Sequence, residues 1–182
     1  MVKIYKLKLT TLQQEIMNFL FLKAGESFNA RSLANHLEVS QPAISKALPL
    51  LEKENYLLIK KDKESGRLSI ELNKQNPKIM HLKRVQNLNL LYESGLPDYL
   101  EESFPGTTII LFGSFSRGDD SINSDIDIAI IGYKEKTLNL NKYEEMLAKE
   151  IRLQFYTDLK SINKNLKENI YNGILLAGGI EL

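Results

Sequence analysis

The first 75 residues carry three helical stripes of apolar side chains, each behind a residue that favours a helix start. Thr10 or Thr11 can cap the first helix, Asn29 the second and Ser40 the third, with Pro42 in a first turn where its missing N–H is not needed. The apolar positions are Leu12, Ile16, Phe19 and Leu20, then Leu33, Ala34 and Leu37, then Ile44, Ala47, Leu48 and Leu51. The pattern predicts one helix followed by two short helices around a tight turn.

Residues 56–60 and 67–72 predict two strands, and the charged stretch KDKESG between them predicts a hairpin tip. Helix, helix-turn-helix and hairpin follow one another in the order of a winged helix. Residues 10–73 therefore resemble the winged helix-turn-helix of MarR- and ArsR-like transcription factors.

This order predicts which side chains would meet DNA, because the second helix of such a unit enters the major groove by its N-terminal end and phosphates position the protein. The candidate DNA-binding residues are Gln41, Ser45, Lys46, Lys60, Lys61, Lys63 and Arg67. The alternative is a winged helix that serves protein interaction or dimerisation, and the acidic Asp62 and Glu64 in the wing oppose phosphate.

Residues 77–103 are expected to form a helical linker between two domains, residues 1–76 and 104–182. Pro77 ends the hairpin, and a long amphipathic helix is predicted up to Gly95. Its apolar positions are Ile79, Leu82, Val85, Leu88 (or Asn89), Leu91 and Tyr92. Such a helix can pack on both domains or pair with its twin in a homodimer.

A second pattern begins at residue 107, where TTIILF predicts a buried strand that runs into a Gly-Ser turn and a short helix. A small-residue turn at a helix N-terminus is suited to phosphate. The next strand, DIDIAII, projects Asp125 and Asp127 from one face, about 7 Å apart. Two carboxylates so close need a cation between them, and a hard divalent metal is the simplest answer. The candidate phosphate-binding residues are Gly113, Ser114, Arg117 and Ser124.

Gly113-Ser114, ten intervening residues and Asp125-x-Asp127 resemble the signature of polymerase-β-like nucleotidyltransferases, above all the minimal ones. The resemblance covers residues 104–182, and the order of the two domains resembles a set of archaeal regulators. It implies a small mixed sheet covered by helices, and an α+β fold for the whole chain. It also implies transfer of a nucleotidyl group from a nucleoside triphosphate, ATP being expected, with Mg²⁺ or Mn²⁺ held by the catalytic Asp125 and Asp127.

The resemblance further implies a third carboxylate on the next core strand, and this sequence departs from it. Residues 151–156 alternate so that Gln154 stands at that position. Its amide oxygen can touch a metal but carries no charge and takes no proton at neutral pH. Glu150 and Asp158 flank the strand, and either could lean in.

Two functions are therefore open. The first is an active nucleotidyltransferase guided by a DNA-binding winged helix, with an acceptor such as a HEPN-type RNase protein, as the resemblance implies. The second is a DNA-binding transcriptional regulator whose C-terminal domain binds nucleotide or metal, or dimerises, without turnover.

Composition narrows the chemistry. The chain has 182 residues, no cysteine and two histidines, which excludes disulfides, thiolate zinc sites and a thiol nucleophile. No apolar run reaches the ~18 residues of a membrane span, and the N-terminus lacks a secretion signal, so we expect a cytoplasmic protein without membrane contact. Residues 1–76 carry a net charge of +4 and residues 77–182 of −3, which favours different partners for the two halves.

Overall fold

The computed structural model describes residues 8–61, residue 66 and residues 68–180, and it divides into two compact units, Met1–Ile79 and Met80–Leu182. The first unit has three helices followed by a hairpin. Their bounds are α1 (Thr11–Leu22), α2 (Ala30–His36), α3 (Gln41–Lys53), β1 (Leu57–Lys61) and β2 (Leu68–Leu72). This order confirms the predicted winged helix-turn-helix fold. Among the described residues, none of the helices is long and apolar enough to cross a membrane.

The helix starts lie where the sequence predicts them because each cap side chain accepts a hydrogen bond from a first-turn backbone N–H. Thr10, Asn29 and Ser40 do so at 3.3, 2.8 and 3.3 Å. The apolar stripes of the three helices then close on the hairpin. The most deeply buried side chains of this core are Ile16, Leu20, Leu33, Ile44, Leu51, Leu57 and Ile70.

The second unit is a four-stranded sheet covered by helices. Its elements are α4 (Pro77–Glu93, which begins before the division), α5 (Leu96–Ser103), β3 (Thr108–Phe112), α6 (Gly113–Arg117), β4 (Ile126–Ile131), α7 (Asn141–Leu147), β5 (Ile151–Tyr156), α8 (Lys164–Tyr171) and β6 (Ile174–Ala177). The strand order is β5-β4-β3-β6, with β4 and β5 parallel and the other pairs antiparallel. The small mixed sheet and the α+β class are as predicted.

The two faces of this sheet have different roles. One face packs on α4, α5 and α7, with Leu91, Leu100 and Leu147 in its core. The other face packs on α8 through Ile170 and on Ile162 before it. Asp127, Gln154 and Tyr156 alternate onto this second face, because Ala129 and Ile131 of β4 lie there. The chemistry therefore shares a face with α8.

Two predicted helices are shorter than expected. The sequence pattern predicts a helix over residues 140–150, but α7 ends at Leu147, because Ala148 adopts a left-handed conformation with φ 51°. The apolar spacing likewise predicts one helix over residues 158–172, which divides into a 3₁₀ turn, Leu159–Ser161, and α8. The division occurs because Asn163 turns its side chain to the N–H of Leu166 at 3.0 Å and so starts a new helix.

The buried face of α4 agrees only in part with the predicted one. Val85, predicted to lie in the apolar stripe, is 65% exposed, and Tyr92 is 52% exposed. The buried stripe keeps the predicted Ile79 and Leu91 but also contains the polar Lys83 and Asn87, all four spaced four residues apart. Lys83 and Asn87 face the interior because both form hydrogen bonds with a buried acid.

That acid is Asp120, which the sequence suggests to be part of a polar loop but which is 1% exposed. Its Oδ1 accepts hydrogen bonds from Lys83 and, at 2.7 Å, from Asn87. Lys149 Nζ lies 3.3 Å from Oδ2 and also donates to the carbonyl oxygens of Ser121 and Ser124 at 2.6 and 3.2 Å. The charged cluster Lys83–Asp120–Lys149 thus fixes the loop that leads into β4.

We expect Asp120→Ala to lower the free energy of unfolding by about 3–5 kcal/mol, because it leaves two buried ammonium groups without their counter-ion. The change in the free energy of unfolding is measured by urea titration monitored by circular dichroism. The matched control is the neighbouring Asp119→Ala, since Asp119 is 50% exposed and pairs on the surface with Arg117. That control should cost less than about 1 kcal/mol. Equal losses in the two variants would show that the buried cluster has no special weight.

Candidate functional site

The Gly-Ser turn lies against one of the two predicted aspartates. Phe112, the last residue of β3, pairs in register with Asp127, so Gly113 is the next residue past that pair. Gly113 has φ 76°, and a Cβ there would stand 2.7 Å from Asp127 Oδ2. Glycine is required on both counts, because a side chain would be strained and would displace the carboxylate.

Asp125 and Asp127 lie at the start of β4, close enough that the charge of Asp125 acts on Asp127. Asp125 immediately precedes β4 and Asp127 is its second residue. Burial and, after it, the charge of Asp125 raise the pKa of Asp127, while Arg152 and the hydrogen bond from Gln154 act in the opposite direction. Ionised Asp127 therefore disfavours the fold above its pKa, since the same acid ionises more easily in the unfolded chain. A cation held by this pair would remove that cost.

A cationic side chain of the protein, Arg152, already pairs with Asp125, and the sequence pattern did not identify it. Arg152 of β5 stands in register opposite Asp127, and its Nη1 lies 2.8 Å from Asp125 Oδ2. Its Nε donates to Glu150 Oε1 at 3.2 Å. The hydrogen bond to Glu150 and then the charge of Asp125 raise the pKa of Arg152. The strand alternation places this arginine on the same face as Gln154, and that was the available signal.

Gln154 stands beside Asp127. Its Nε2 donates to Asp127 Oδ1 at 3.3 Å, and its Oε1 accepts from the Tyr156 hydroxyl at 2.8 Å. Burial and the charge of Asp127 raise the pKa of Tyr156, so this phenol stays protonated and serves as a donor. Both ends of the Gln154 amide are engaged, and neither can take a proton.

The flanking acids do not complete a third ligand position. Glu150 forms an ion pair with Arg152 on the surface. Within the part of the chain that the structure describes, three or more acidic or histidine side chains nowhere gather in a metal-binding arrangement, so neither Glu150 nor Asp158 joins the pair. Two carboxylates can hold one hard divalent cation whose other positions go to water or phosphate. Asp125 and Asp127 fit one such cation. Among the described residues, no further carboxylate joins them to hold a second cation.

The other candidate phosphate ligands differ in their surroundings. Ser114 is half-buried in the first turn of α6, whose early N–H groups have no intrahelical acceptor. Arg117 is 47% exposed and pairs with Asp119 at 3.2 Å. Ser124 accepts the N–H of Ser121 at 2.9 Å and shapes the loop. Gly113 therefore lies beside Asp127, with Ser114 next to it in the chain, whereas Arg117 and Ser124 are occupied by contacts within the loop.

The first unit has a separate polar groove of about 670 Å³. It brings together the predicted Gln41, Ser45 and Lys61 and adds Arg31 of α2, which the sequence reasoning missed. The predicted Lys46 and Lys60 are exposed but lie outside the groove lining. Lys63 and Arg67 lie outside the described residues. The groove opens between the start of α3 and the wing.

Gly113→Ala should weaken Mg²⁺ binding about tenfold, as expected when a group that orients a ligand is displaced. Mg²⁺ binding is measured through the Mg²⁺-dependent rise in Tm. Gly132→Ala is the matched control, because Gly132 has a similarly positive φ of 93° but open space around its Cβ position. The backbone strain is then common to both variants, and the contact with Asp127 is not. An identical Mg²⁺ response in the two variants would argue against the contact.

Comparison with known proteins finds a family model that matches within the second unit. Residues 94–175 match the family model described as the nucleotidyltransferase domain. No curated protein sequence matches the chain.

Solved structures with similarity to this chain are bacterial proteins. The adhesin competence repressor AdcR of Streptococcus pyogenes is 24% identical at a TM-score of 0.40, over 53% of this chain and 69% of that one. MepR of S. aureus, solved as a DNA complex, is 17% identical at 0.39, over 52% and 77%. ZitR of Lactococcus lactis is 19% identical at 0.38, over 57% and 67%. The family match and the observed fold together describe a winged helix-turn-helix followed by a nucleotidyltransferase domain.

Proposed function

We propose that the chain transfers a nucleotidyl group from a nucleoside triphosphate to an acceptor, at a site made by Gly113, Ser114, Asp125 and Asp127. The observation that supports this proposal is the close approach of the Gly113 backbone to the Asp127 carboxylate, since a Cβ at Gly113 would stand 2.7 Å from Asp127 Oδ2. The family match over residues 94–175 supports transfer as the chemistry.

The roles follow from the chemistry of each group. The first-turn N–H groups of α6 and the Ser114 hydroxyl would receive the triphosphate, whose negative charge suits a helix start. Asp125 and Asp127 would hold Mg²⁺ or Mn²⁺, which would neutralise the phosphates and the leaving pyrophosphate. ATP is the nucleotide that we propose, and a protein such as a HEPN-type partner is the proposed acceptor.

Among the described residues, none is evident as the base that would remove the acceptor's proton. Gln154 donates a hydrogen bond to Asp127 from the neighbouring strand, but its amide cannot act as a base. A missing base costs about 10²–10⁴ in rate, so we expect slow turnover.

The same observation favours a second candidate function. Gln154 is engaged at both ends by Tyr156 and Asp127, and on this candidate function the domain would bind a metal-nucleotide complex without turning it over. The protein would then be a regulator in which a nucleotide-loaded domain accompanies a DNA-binding winged helix. A homodimer is compatible with either function.

Gln154→Asp separates the two candidates. Under the first, transfer of label from an α-labelled nucleoside triphosphate in Mg²⁺ or Mn²⁺ is slow in the natural protein, is lost in Asp127→Asn, and rises about 10²-fold in Gln154→Asp as a base is restored. Asp119→Asn, an exposed acid on the neighbouring loop, is the control and should leave the rate unchanged. Nucleotide binding without label transfer to any candidate acceptor, even in Gln154→Asp, would select the regulator.

For the winged helix, we propose binding to DNA through the start of α3 and the wing. Lys46→Ala should weaken binding to the DNA upstream of the protein's own gene, and should reduce the slope of log affinity against log salt by about 1, as one lost phosphate contact does. Lys53→Ala, an exposed lysine at the other end of α3, is the matched control. Salt-insensitive binding, or equal effects of the two variants, would contradict this orientation.

A further inference from the structure

Arg152 already pairs with Asp125, an acid that a metal at this site would also use. Its Nη1 lies 2.8 Å from Asp125 Oδ2, the distance of a charge-assisted hydrogen bond. Asp125 is 26% exposed, which leaves its carboxylate open to solvent as well as to the arginine. A divalent ion and the guanidinium would share the charge of one carboxylate and repel each other, so the two cations compete for Asp125.

The arginine is free to move, and the aspartate is not. The Arg152 side chain is 55% exposed, and its second partner, Glu150, is 61% exposed. Asp125, in contrast, follows a loop whose Ser124 carbonyl is held by the buried Lys149. A bound ion would therefore displace Arg152 and leave Asp125 in place.

A displaced Arg152 remains beside the site, because β5 holds its backbone in register opposite Asp127. Guanidinium groups bind phosphate oxygens well, often through two hydrogen bonds. With the triphosphate absent, the released arginine has Glu150 and Asp127 as neighbouring anions. With the triphosphate present, it gains a more highly charged partner.

We propose that Arg152 couples metal binding to triphosphate binding: it neutralises Asp125 in the empty site and moves to the phosphates when ion and nucleotide arrive together. This inference rests on the proposed function, since it uses the same site. The coupling is reciprocal, so the ion raises the affinity for the triphosphate by the factor by which the triphosphate raises the affinity for the ion. Arg152 is a positioning residue on this account, and one of its contacts works against the metal.

The experiment measures Mn²⁺ affinity alone, by electron paramagnetic resonance, and then the affinity for a non-hydrolysable ATP analogue at saturating Mn²⁺. Arg152→Ala should bind Mn²⁺ alone roughly fivefold more tightly, the equivalent of losing one partly exposed ion pair. It should bind the analogue roughly fivefold more weakly, since a phosphate contact is lost. Arg152→Lys should lie between the natural protein and Arg152→Ala.

Two controls keep the outcomes separate. Arg84→Ala removes an exposed arginine of α4 and should change neither affinity. Asp125→Asn should abolish Mn²⁺ binding in both the natural and the Arg152→Ala background. If Asp125→Asn has this effect but Arg152→Ala binds Mn²⁺ like the natural protein, the coupling is refuted while the proposed site stands. If Mn²⁺ binds neither the natural protein nor Arg152→Ala, the site itself fails, and the coupling with it.

Discussion

The second unit depends on one buried carboxylate, Asp120. A charge with 1% exposure is stable only when it is paired and hydrogen-bonded, and three side chains from two parts of the chain supply this: Lys83, Asn87 and Lys149. The pairing rotates α4 so that its polar residues face inward, and it ties the loop before β4 to the helix. Because that loop leads directly into Asp125, the cluster also determines where the candidate site begins.

A second constraint is the repulsion between Asp125 and Asp127. Three neighbouring residues interact with these carboxylates in different ways. Gly113 gives the Asp127 carboxylate room, Gln154 donates to it, and Arg152 neutralises Asp125. Each contact stabilises the site without a metal, yet each bears on function differently. The glycine leaves space for the carboxylate, the glutamine cannot act as a base, and the arginine supplies a positive charge.

The first unit follows simpler rules, and its sequence is correspondingly easier to interpret. Its helices are short, capped by side chains three residues from their targets, and amphipathic with regular spacing. All of these are local properties, so the winged helix-turn-helix and the starts of its helices were predictable. The wing strands were also predicted to within one residue, because the hairpin pairs neighbouring segments. The groove containing Arg31 was not predicted, since it depends on how α2 packs against α3 and the wing.

By itself, the sequence determined the order of the elements, the mixed α+β class, and the neighbouring positions of the Gly-Ser turn, the aspartate pair and Gln154. Those features depend on strand alternation and on chemistry a few residues apart. Only the tertiary structure decided which face of α4 is buried, because Lys83 and Asn87 belong to the interior on account of Asp120, more than 30 residues away. The tertiary structure likewise decided that Arg152, an ordinary surface arginine in the sequence, forms an ion pair with Asp125. Buried charges and ion pairs form between strands and helices that meet in space, and no periodicity along the chain records them.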